Sequence, residues 1–536
     1  MAISIIRNKI NYLIIFLMNA QKRSQLIVSI LLAIIISISF PYFFENQLYN
    51  NCYSELEIKD LKSSYIQYAN ATLLSDGFNG TYWNTDLSEF PRVVADKNGK
   101  IHVVWEDSTN GYWGTDMEIM YVSYSPETGW SNIEVISDGF NGSYWNYAQS
   151  SSPAIGVDSQ NRIHVVYEDY TPGVWGNDCE LMHVSYTPGL GWSNITVISD
   201  GYQGIYWNDG LSLEPDIAID VDDNIHVVWS DNTEGAWGTD VEIMYVKYTQ
   251  GVGWSNVTVI SDGHNGIYWN DGFSDNPNIA TDNNFVHVVW QDSTDGFWGT
   301  DREIMHIKYT PNSGWSDLSI VSEGYIGNIH NYWNNGDSRA PAIACHSGNT
   351  HIVWADDTNG IWGDDFEIMH IKHSSISGWS EITVISDGFK GKYWNDAESF
   401  NPELVVDYND NVHVIWQDFT EGIWDSGGSD NEIMYTNYTS TNGWTNISII
   451  SDGYAGIYWN TGLNLNPDLC LGQNNIYVVW QDSTRGIWGT DYEIMFTFLI
   501  IPGLMPNIAL PFGFYYFILI FLVILGLVYY IKQKDV

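Results

Sequence analysis

One unit of sequence, repeated along the chain, decides the fold: residues 75–136 read SDGFNGTYWNTDLSEFPRVVADKNGKIHVVWEDSTNGYWGTDMEIMYVSYSPETGWSNIEVI. Its blocks Ser-Asp-Gly, Tyr-Trp-Asn, Ile-His-Val-Val-Trp-Glu-Asp and Trp-Gly-Thr-Asp-x-Glu-Ile-Met return in the same order, with variations. The Trp of Tyr-Trp-Asn lies at positions 83, 145, 207, 269, 333, 394 and 459. The chain therefore contains seven copies of a repeat of roughly sixty residues.

Each copy contains four strand-like runs, which we name A to D. In the second copy these runs span residues 152–157, 162–169, 180–186 and 193–199. Four short strands in a repeat of this length are typical of one blade of a β-propeller. The sequence therefore predicts an all-β fold, a seven-bladed β-propeller over residues 65–499.

The two ends of the repeat array complement each other. The last copy stops after strand C, because residues 501–502 lead into an apolar stretch without a Gly-Trp block. A lone strand D at residues 65–74 precedes the first Ser-Asp-Gly. We expect this strand to complete blade 7, so that both ends of the chain close the ring and no sheet edge stays exposed.

Apolar stretches occur at both termini. Residues 26–44 follow the basic residues Lys22 and Arg23, and residues 512–531 precede Lys532 and Lys534. Each stretch is long enough to span a bilayer. The positive-inside rule then predicts a cytoplasmic segment 1–25, a signal anchor or signal peptide at 26–44, a transmembrane helix at 512–531 and a cytoplasmic tail 532–536. This topology places the propeller on the extracellular side of the cell membrane.

The charge of the chain restricts its partners. There are 65 acidic and 20 basic residues, which give a formal net charge of −45. Such a surface repels phosphate backbones, so nucleic acid is excluded as a partner. Glycans, cell-surface proteins and cations such as calcium fit this field. The alternative interpretation is that the charge only keeps an exported protein soluble.

The long connections are expected on one face of the propeller. The B–C and D–A loops emerge together, whereas the A–B and C–D turns are short and lie on the opposite face. These long loops contain fourteen Trp, at positions 83, 113, 145, 175, 207, 237, 269, 298, 333, 362, 394, 424, 459 and 488. Exposed Trp rings stack on sugars or cationic groups, so all fourteen are candidate ligand-binding residues. The alternative is that they pack between neighbouring loops, as repeated residues in such arrays usually do.

Acidic residues accompany these Trp. The Asp that ends strand B is a candidate for hydrogen bonds to ligand hydroxyls, and it recurs as Asp107, Asp169, Asp231, Asp292, Asp356, Asp418 and Asp482. The Trp-Gly-Thr-Asp-x-Glu block, with Asp116, Glu118 and their equivalents, is the candidate calcium site. No loop matches an EF-hand, and the alternative role of all these side chains is to brace turns through backbone N–H groups.

Seven Asn-x-Ser/Thr sequons lie in the segment predicted to be outside the cell. The candidate glycosylation sites are Asn70, Asn79, Asn141, Asn194, Asn256, Asn437 and Asn446.

The repeats resemble those of sialidase-like Asp-box propellers, over residues 65–498. Gly-Trp-Ser after strand C and the Pro-x-Ile-x-x-Asp pattern before Ile-His-Val-Val-Trp-x-Asp carry this resemblance. The family box reads Ser-x-Asp-x-Gly-x-x-Trp, whereas residues 125–130 lack the Asp and place Gly beside Trp. The resemblance implies the propeller fold, and it implies glycoside hydrolysis as an alternative function.

Catalytic residues are not evident. The resemblance would require three arginines that hold a carboxylate, and between the termini the chain has only Arg92, Arg162, Arg302, Arg339 and Arg485. Near-identical blades offer seven like sites, whereas catalysis needs unlike groups. We would search the irregular loops 326–330 and 425–430 first for a unique site. The preferred function is therefore a non-catalytic surface receptor; the alternatives are a sialidase-like hydrolase and a structural envelope protein.

Overall fold

The computed structural model confirms the seven-bladed β-propeller with four-stranded antiparallel blades. The residues that the structure describes are 67–68, 71–75, 84–111, 113–138, 146–201, 208–262, 270–296, 298–326, 329–330, 334–387, 395, 397–420, 431–451, 460–485 and 490–501. None of them belongs to a helix able to cross a membrane. Both predicted membrane segments lie outside the described residues.

The strands recur with nearly constant lengths in blades 1 to 7. Strand A spans Ser88–Ala95, Ser150–Val157, Ser212–Ile219, Ser274–Asp282, Ser338–His346, Ser399–Val406 and Asn464–Leu471. Strand B spans Ile101–Asp107, Ile163–Asp169, Ile225–Asp231, Phe285–Asp292, Asn349–Asp356, Val412–Asp418 and Asn475–Asp482. Strand C spans Glu118–Ser125, Glu180–Thr187, Glu242–Thr249, Glu303–Thr310, Glu367–Ser374, Glu432–Thr439 and Glu493–Ile500.

Strand D consists of two short pieces that both pair with strand C. In blades 1 to 6 these pieces are Gly129–Trp130 and Glu134–Val135, Gly191–Trp192 and Thr196–Val197, Gly253–Trp254 and Thr258–Val259, Gly314–Trp315 and Ser319–Ile320, Gly378–Trp379 and Thr383–Val384, and Gly443–Trp444 and Ser448–Ile449. A further small hairpin joins Tyr325–Ile326 to Ile329–His330.

The predicted ring closure is confirmed. Gln67–Tyr68 and Thr72–Leu73 pair antiparallel with Glu493–Ile500 and supply strand D of blade 7. Thr72 lies opposite Phe496, and Gln67 lies opposite Ile500. Strands from both ends of the chain therefore share one sheet, which leaves blade 7 with the same edge protection as the others.

The hydrophobic core lies between adjacent blades. Trp229 of strand B is 0% exposed, and its cluster contains Ala154 and Val166 of blade 2. Strand B is buried on both faces along its length, as its near-continuous apolar sequence indicates. Burial of these aromatic and β-branched side chains is the main force that holds neighbouring blades together.

The two faces differ as expected. We call the face with the B–C and D–A connections the loop face and the opposite one the turn face. On the loop face the Ser108 N–H donates to Leu87 O at 2.9 Å, which joins the two connections of blade 1. On the turn face Asp220 Oδ1 accepts the N–H groups of Asp222 and Asn224, each at 2.9 Å. The acidic A–B stretches are thus turn chemistry.

Candidate functional site

The Asp at the end of strand B lies inside its blade. Asp231 Oδ2 accepts hydrogen bonds from Asn208 Nδ2, Ser212 Oγ and Trp229 Nε1 at 3.0, 2.8 and 2.8 Å. Its Oδ1 accepts the Thr233 N–H at 2.8 Å. Both oxygens of the carboxylate thus accept hydrogen bonds. The donors come from the Tyr-Trp-Asn block, strand A, strand B and the B–C loop.

The seven Asp predicted as ligand-binding residues are all buried. Each is at most 2% exposed, which holds for Asp107, Asp169, Asp231, Asp292, Asp356, Asp418 and Asp482. Ser88 Oγ and the Trp105 indole donate to Asp107 in blade 1 in the same way. A buried carboxylate with its acceptor sites used by its own blade offers none to a ligand, so these seven side chains brace the loop face.

The five described Trp of the B–C loops are half-buried. The Trp113 indole N–H donates to Thr109 O at 3.0 Å, and a Cβ on Gly111 would lie 2.2 Å from the ring, so this glycine lets the loop backbone approach it. Trp175, Trp237, Trp298 and Trp362 repeat this arrangement. Each of these five rings also packs against the core of its blade.

The remaining candidate Trp cannot be placed. Trp83, Trp145, Trp207, Trp269, Trp333, Trp394, Trp424, Trp459 and Trp488 lie outside the described residues. Of the candidate glycosylation sites, Asn70, Asn79 and Asn141 also lie outside them, whereas Asn194, Asn256, Asn437 and Asn446 are in strands C or D or in the connection within strand D. Both sets stay predictions.

The Glu of the acidic block is buried in every blade. Ser137 Oγ donates to Glu118 Oε2 at 2.5 Å and accepts the Ile119 N–H at 2.7 Å, while Glu118 Oε1 has no hydrogen-bond partner. Burial raises the pKa of Glu118 to about 9. The hydrogen bond from Ser137 lowers this pKa, and the nearby charges of Asp138 and Asp116 raise it. This Glu is therefore protonated at neutral pH unless a cation is bound.

The acidic block does not form a metal site by itself. Within the described residues, no three His, Cys, Asp or Glu side chains are arranged so that they could hold a metal ion. The calcium expectation for Asp116, Glu118 and their equivalents thus has no complete ligand set among these residues. It stays a prediction.

A cavity on the propeller axis opens at the loop face, where each strand A makes a β-bulge. Phe90 has a φ of 49° and precedes Pro91, and the register with strand B shifts beside it. Its N–H donates to Gln481 Oε1 of blade 7 at 3.0 Å. The residues with positive φ at this position in blades 2 to 7 are Ser152, Glu214, Asn276, Ala340, Asn401 and Asn466. These seven bulges surround a cavity of about 210 Å³.

The position after the proline follows each bulge along strand A, and its residue differs from blade to blade. Its residues in blades 1 to 7 are Arg92, Ala154, Asp216, Asn278, Ala342, Glu403 and Asp468. Arg92, Asp216, Asn278 and Glu403 also border a second cavity of about 350 Å³ below, towards the turn face. We call these seven positions the axial ring.

Three members of the axial ring are fixed by backbone contacts. Asp216 Oδ2 accepts the Ile279 N–H of blade 4 at 2.8 Å, and Asp468 Oδ2 accepts the Val93 N–H of blade 1 at 2.7 Å. Their carboxylates therefore link blades around the axis. Asn278 does the same through Ile343.

Arg92 and Glu403 form the reachable pair of the ring. Arg92 Nη1 lies 3.5 Å from Glu403 Oε1, and 35% and 21% of the two side chains remain exposed. Burial alone would lower the pKa of Arg92, but the charges of Glu403, Asp468 and Asp216 raise it. Burial raises the pKa of Glu403 to about 8 and that of Asp216 to about 6, although Arg92 opposes both shifts. The two side chains therefore place a guanidinium beside a carboxyl at the cavity.

The other arginines lie elsewhere. Arg162 pairs with Asp158 in a turn-face loop, and Arg339 pairs with Asp337 beside blade 5. Of the five arginines between the termini, all of them described, only Arg92 lines the axial cavity. The three-arginine arrangement that the sialidase resemblance implies is therefore not assembled.

The axial ring is not in the irregular loops in which the sequence analysis expected a unique site. Residues 425–430 lie outside the described residues, and residues 326 and 329–330 form part of the small hairpin. Asp216, Glu403 and Asp468 were missed because each looked like one more acidic residue in an acidic chain. Alignment of the seven repeats would have revealed them, since the position after the conserved proline slot changes charge from blade to blade.

Comparison with known proteins gives structural matches alone. No protein-family model matches the chain, and no curated protein matches it. NanB sialidase from Streptococcus pneumoniae is 10% identical with a TM-score of 0.37, over 81% of this chain and 71% of that one. Trypanosoma rangeli sialidase is 10% identical with a TM-score of 0.41, over 80% of this chain and 59% of that one. Polysaccharide lyase Uly1 is 12% identical with a TM-score of 0.44, over 80% and 94%.

Sialidases are thus among the proteins to which this chain is similar. No site residue is carried over from them.

Proposed function

We propose that this protein is a membrane-anchored binding protein whose axial cavity, on the outward loop face, receives the end group of a glycan. The observation that supports this proposal is the axial ring, where a repeat that is otherwise uniform offers unlike residues at one point. Recognition of one ligand in one orientation needs such asymmetry. The terminal apolar segments supply the anchor, as the sequence predicts.

The lining favours a neutral or cationic polyol. Asn276 and Glu214 stand at the mouth with the partly exposed ring of Phe90, which is 42% exposed. Amide and carboxyl groups beside an aromatic face match the hydroxyls and C–H surface of a sugar. Glu214 and Asp216 place two acidic side chains against the single guanidinium of Arg92, so an anionic sugar is disfavoured.

The size of the cavity limits what enters it. Its volume of about 210 Å³ is below the roughly 300–1,000 Å³ that is usual for small-molecule pockets. It therefore accommodates one terminal ring, and the rest of a glycan would extend over the B–C loops. The half-buried Trp113 and its equivalents are placed to contact that extension, which would give weak repeated contacts an avidity advantage.

A glycan-array screen of the full-length chain in detergent, with and without calcium, tests this proposal. We expect neutral or amino sugars to bind, and Arg92→Ala to weaken that binding about tenfold or more, since one lost charge-assisted contact is worth about 1.5–3 kcal/mol. Arg162→Ala is the matched control, because Arg162 is paired on the turn face. Equal binding by both variants would rule out the axial ring.

The Trp contribution is tested separately. Trp113→Phe keeps the packing against the core but removes the indole N–H and reduces the ring, so we expect a modest loss of binding to long glycans only. Binding that depends on Trp113 but not on Arg92 would place the ligand on the loops and outside the cavity.

Glycoside hydrolysis is the second candidate, and one observation favours it. Burial raises the pKa of Glu403, and the nearby charge of Asp468 adds to this shift, which favours the protonated form that a general acid needs. Release of a chromophore from neutral aryl glycosides, lost in Glu403→Gln and kept in Arg162→Ala, would establish it. If such glycosides bind but are not hydrolysed, the result would contradict hydrolysis and support the binding function.

A further inference from the structure

Both ends of the described propeller leave from the turn face. Gln67, where the closing strand begins, lies opposite Ile500, where the last strand ends. Ile500 also pairs with Asn475, which follows the A–B turn of blade 7. The chain segments that lead to residues 26–44 and 512–531 therefore start on the face opposite the axial cavity mouth.

The tips of several turns on this face are apolar and exposed. Leu190, Val252 and Ile376 occupy C–D turns and are 86, 83 and 96% exposed. Val221 and Tyr408 occupy A–B turns and are 63 and 72% exposed. These tips belong to blades 2, 3, 5 and 6, so they surround the axis. A water-exposed turn gains nothing from such residues, whereas the boundary of a bilayer accepts them.

The lysines lie on the same half of the molecule. Every lysine of the described residues is in an A–B turn or near the end of a strand C, namely Lys97, Lys100, Lys247, Lys308 and Lys372. Among the described residues, the turn face therefore carries ammonium groups that the loop face lacks. Lys390 and Lys392, in the D–A connection of blade 6, lie outside the described residues. Lysine ammonium groups are attracted to anionic lipid headgroups.

Several carboxylates on the turn face are engaged by donors of neighbouring blades. Asp223 accepts the N–H and hydroxyl of Ser159, each at 2.7 Å, and Asp222 accepts from Asn284 at 2.7 Å. Lys372 lies 2.9 Å from Asp410. These carboxylates therefore keep a hydrogen-bond or ion-pair partner when lipid contact removes water from this face.

We infer that the turn face rests on the surface of the bilayer that carries the terminal segments, with the apolar turn tips in its interface. This inference rests on the membrane segments of the proposed function. Residues 501–511 span at most about 40 Å when extended, so they keep the face within reach of the bilayer. The axial cavity then points away from the membrane, towards ligands outside the cell.

The test uses the full-length chain in phospholipid vesicles, with an environment-sensitive fluorophore on single introduced cysteines. Leu190→Cys and Ile376→Cys report on the turn face. Val174→Cys and Ile361→Cys are matched controls, because these side chains are 76 and 75% exposed on loop-face hairpins. Exposed native thiols are first removed, and the buried Cys179 and Cys470 are kept.

Nitroxide-labelled phospholipid should quench the turn-face labels several-fold more than the loop-face labels, and more strongly in vesicles with anionic lipid. Equal quenching at both faces, or quenching of the loop-face labels only, would overturn the inference. Release of the chain from vesicles by alkaline carbonate would also overturn it, because this result would show that the terminal segments do not span the bilayer. Glycan binding measured on the same vesicles tests the axial cavity independently, so failure of one proposal is distinguishable from failure of the other.

Discussion

Asp231 and Asp216 belong to the same blade, but they differ in which residues occupy the equivalent positions of the other six blades. Asp231 has an Asp counterpart in all seven blades and is buried in a network confined to its own blade. Asp216 has counterparts as different as Arg92 and Ala154, and it faces the axis. Repetition therefore marks residues that hold a blade together, and variation marks the place where the blades meet one ligand.

The largest expected effect is on a repeated position. Asp231→Asn places an amide against Asn208, Ser212 and Trp229, which all donate to the carboxylate. Two or more buried groups then lack an acceptor, at about 1–3 kcal/mol each, so we expect a loss of about 3 kcal/mol or more in the free energy of unfolding. Denaturant unfolding measures it. The exposed Asp209→Asn on the same face is the control, and equal stability of both variants would contradict the bracing role.

The pH dependence tests a second repeated position. Burial raises the pKa of Glu242 to about 9, so the folded chain retains a proton that the unfolded chain loses above its ordinary value of 4.5. This stabilisation is complete below pH 4.5 and is lost as pH rises through about 9. Between pH 7 and 9, each such Glu should lower stability by about 1.4 kcal/mol per pH unit.

Thermal unfolding of Glu242→Gln at several pH values checks this slope. We expect a shallower loss of stability in the variant than in the unchanged chain between pH 7 and 9. If added calcium flattens the unchanged chain's slope in the same way, a cation takes the place of the proton. Parallel slopes in both chains without calcium would refute the buried protonated Glu.

A smaller effect is expected for the serine that supports this Glu. Ser261 Oγ accepts the buried Ile243 N–H at 2.7 Å, whereas Ser255 Oγ accepts the exposed Lys247 N–H at 3.0 Å. Ser261→Ala should lower the free energy of unfolding by about 1–2 kcal/mol, and Ser255→Ala by less than about 0.5 kcal/mol, because water can replace only the exposed acceptor. Urea denaturation of the two variants gives the comparison, which fails if the order is reversed.

The smallest effect on folding is expected at the axial ring. Burial raises the pKa of Glu403, which favours the neutral form of this carboxyl. Glu403→Gln therefore changes stability by less than about 1 kcal/mol, although it is the same acid-to-amide change as Asp231→Asn. Ligand binding should respond in the opposite order, with Glu403→Gln affected most. A large loss of stability in this variant would make the axial ring a structural element.

The sequence by itself determined the number of blades, their four strands, the closure by residues 65–74 and the separation of a loop face from a turn face. These features follow from local periodicity and turn residues, and both are present in every repeat. The same repetition misled the search for a site, because Asp107 and its six counterparts appear as a ring of acids on the loop face. Sequence does not reveal that hydrogen-bond donors of the same blade enclose these side chains, as Asn84, Ser88, Trp105 and Thr109 enclose Asp107.

Only the tertiary structure decided which residues meet on the axis. Arg92 and Glu403 are 311 positions apart and lie in blades 1 and 6. Closure of the ring brings strand A of every blade around one cavity, so residues that are unremarkable in their own repeats become neighbours. The raised pKa of Glu403 and the pairing with Arg92 exist only at that short distance and in that partly desolvated space, because burial and nearby charge shift a titration and sequence alone specifies neither.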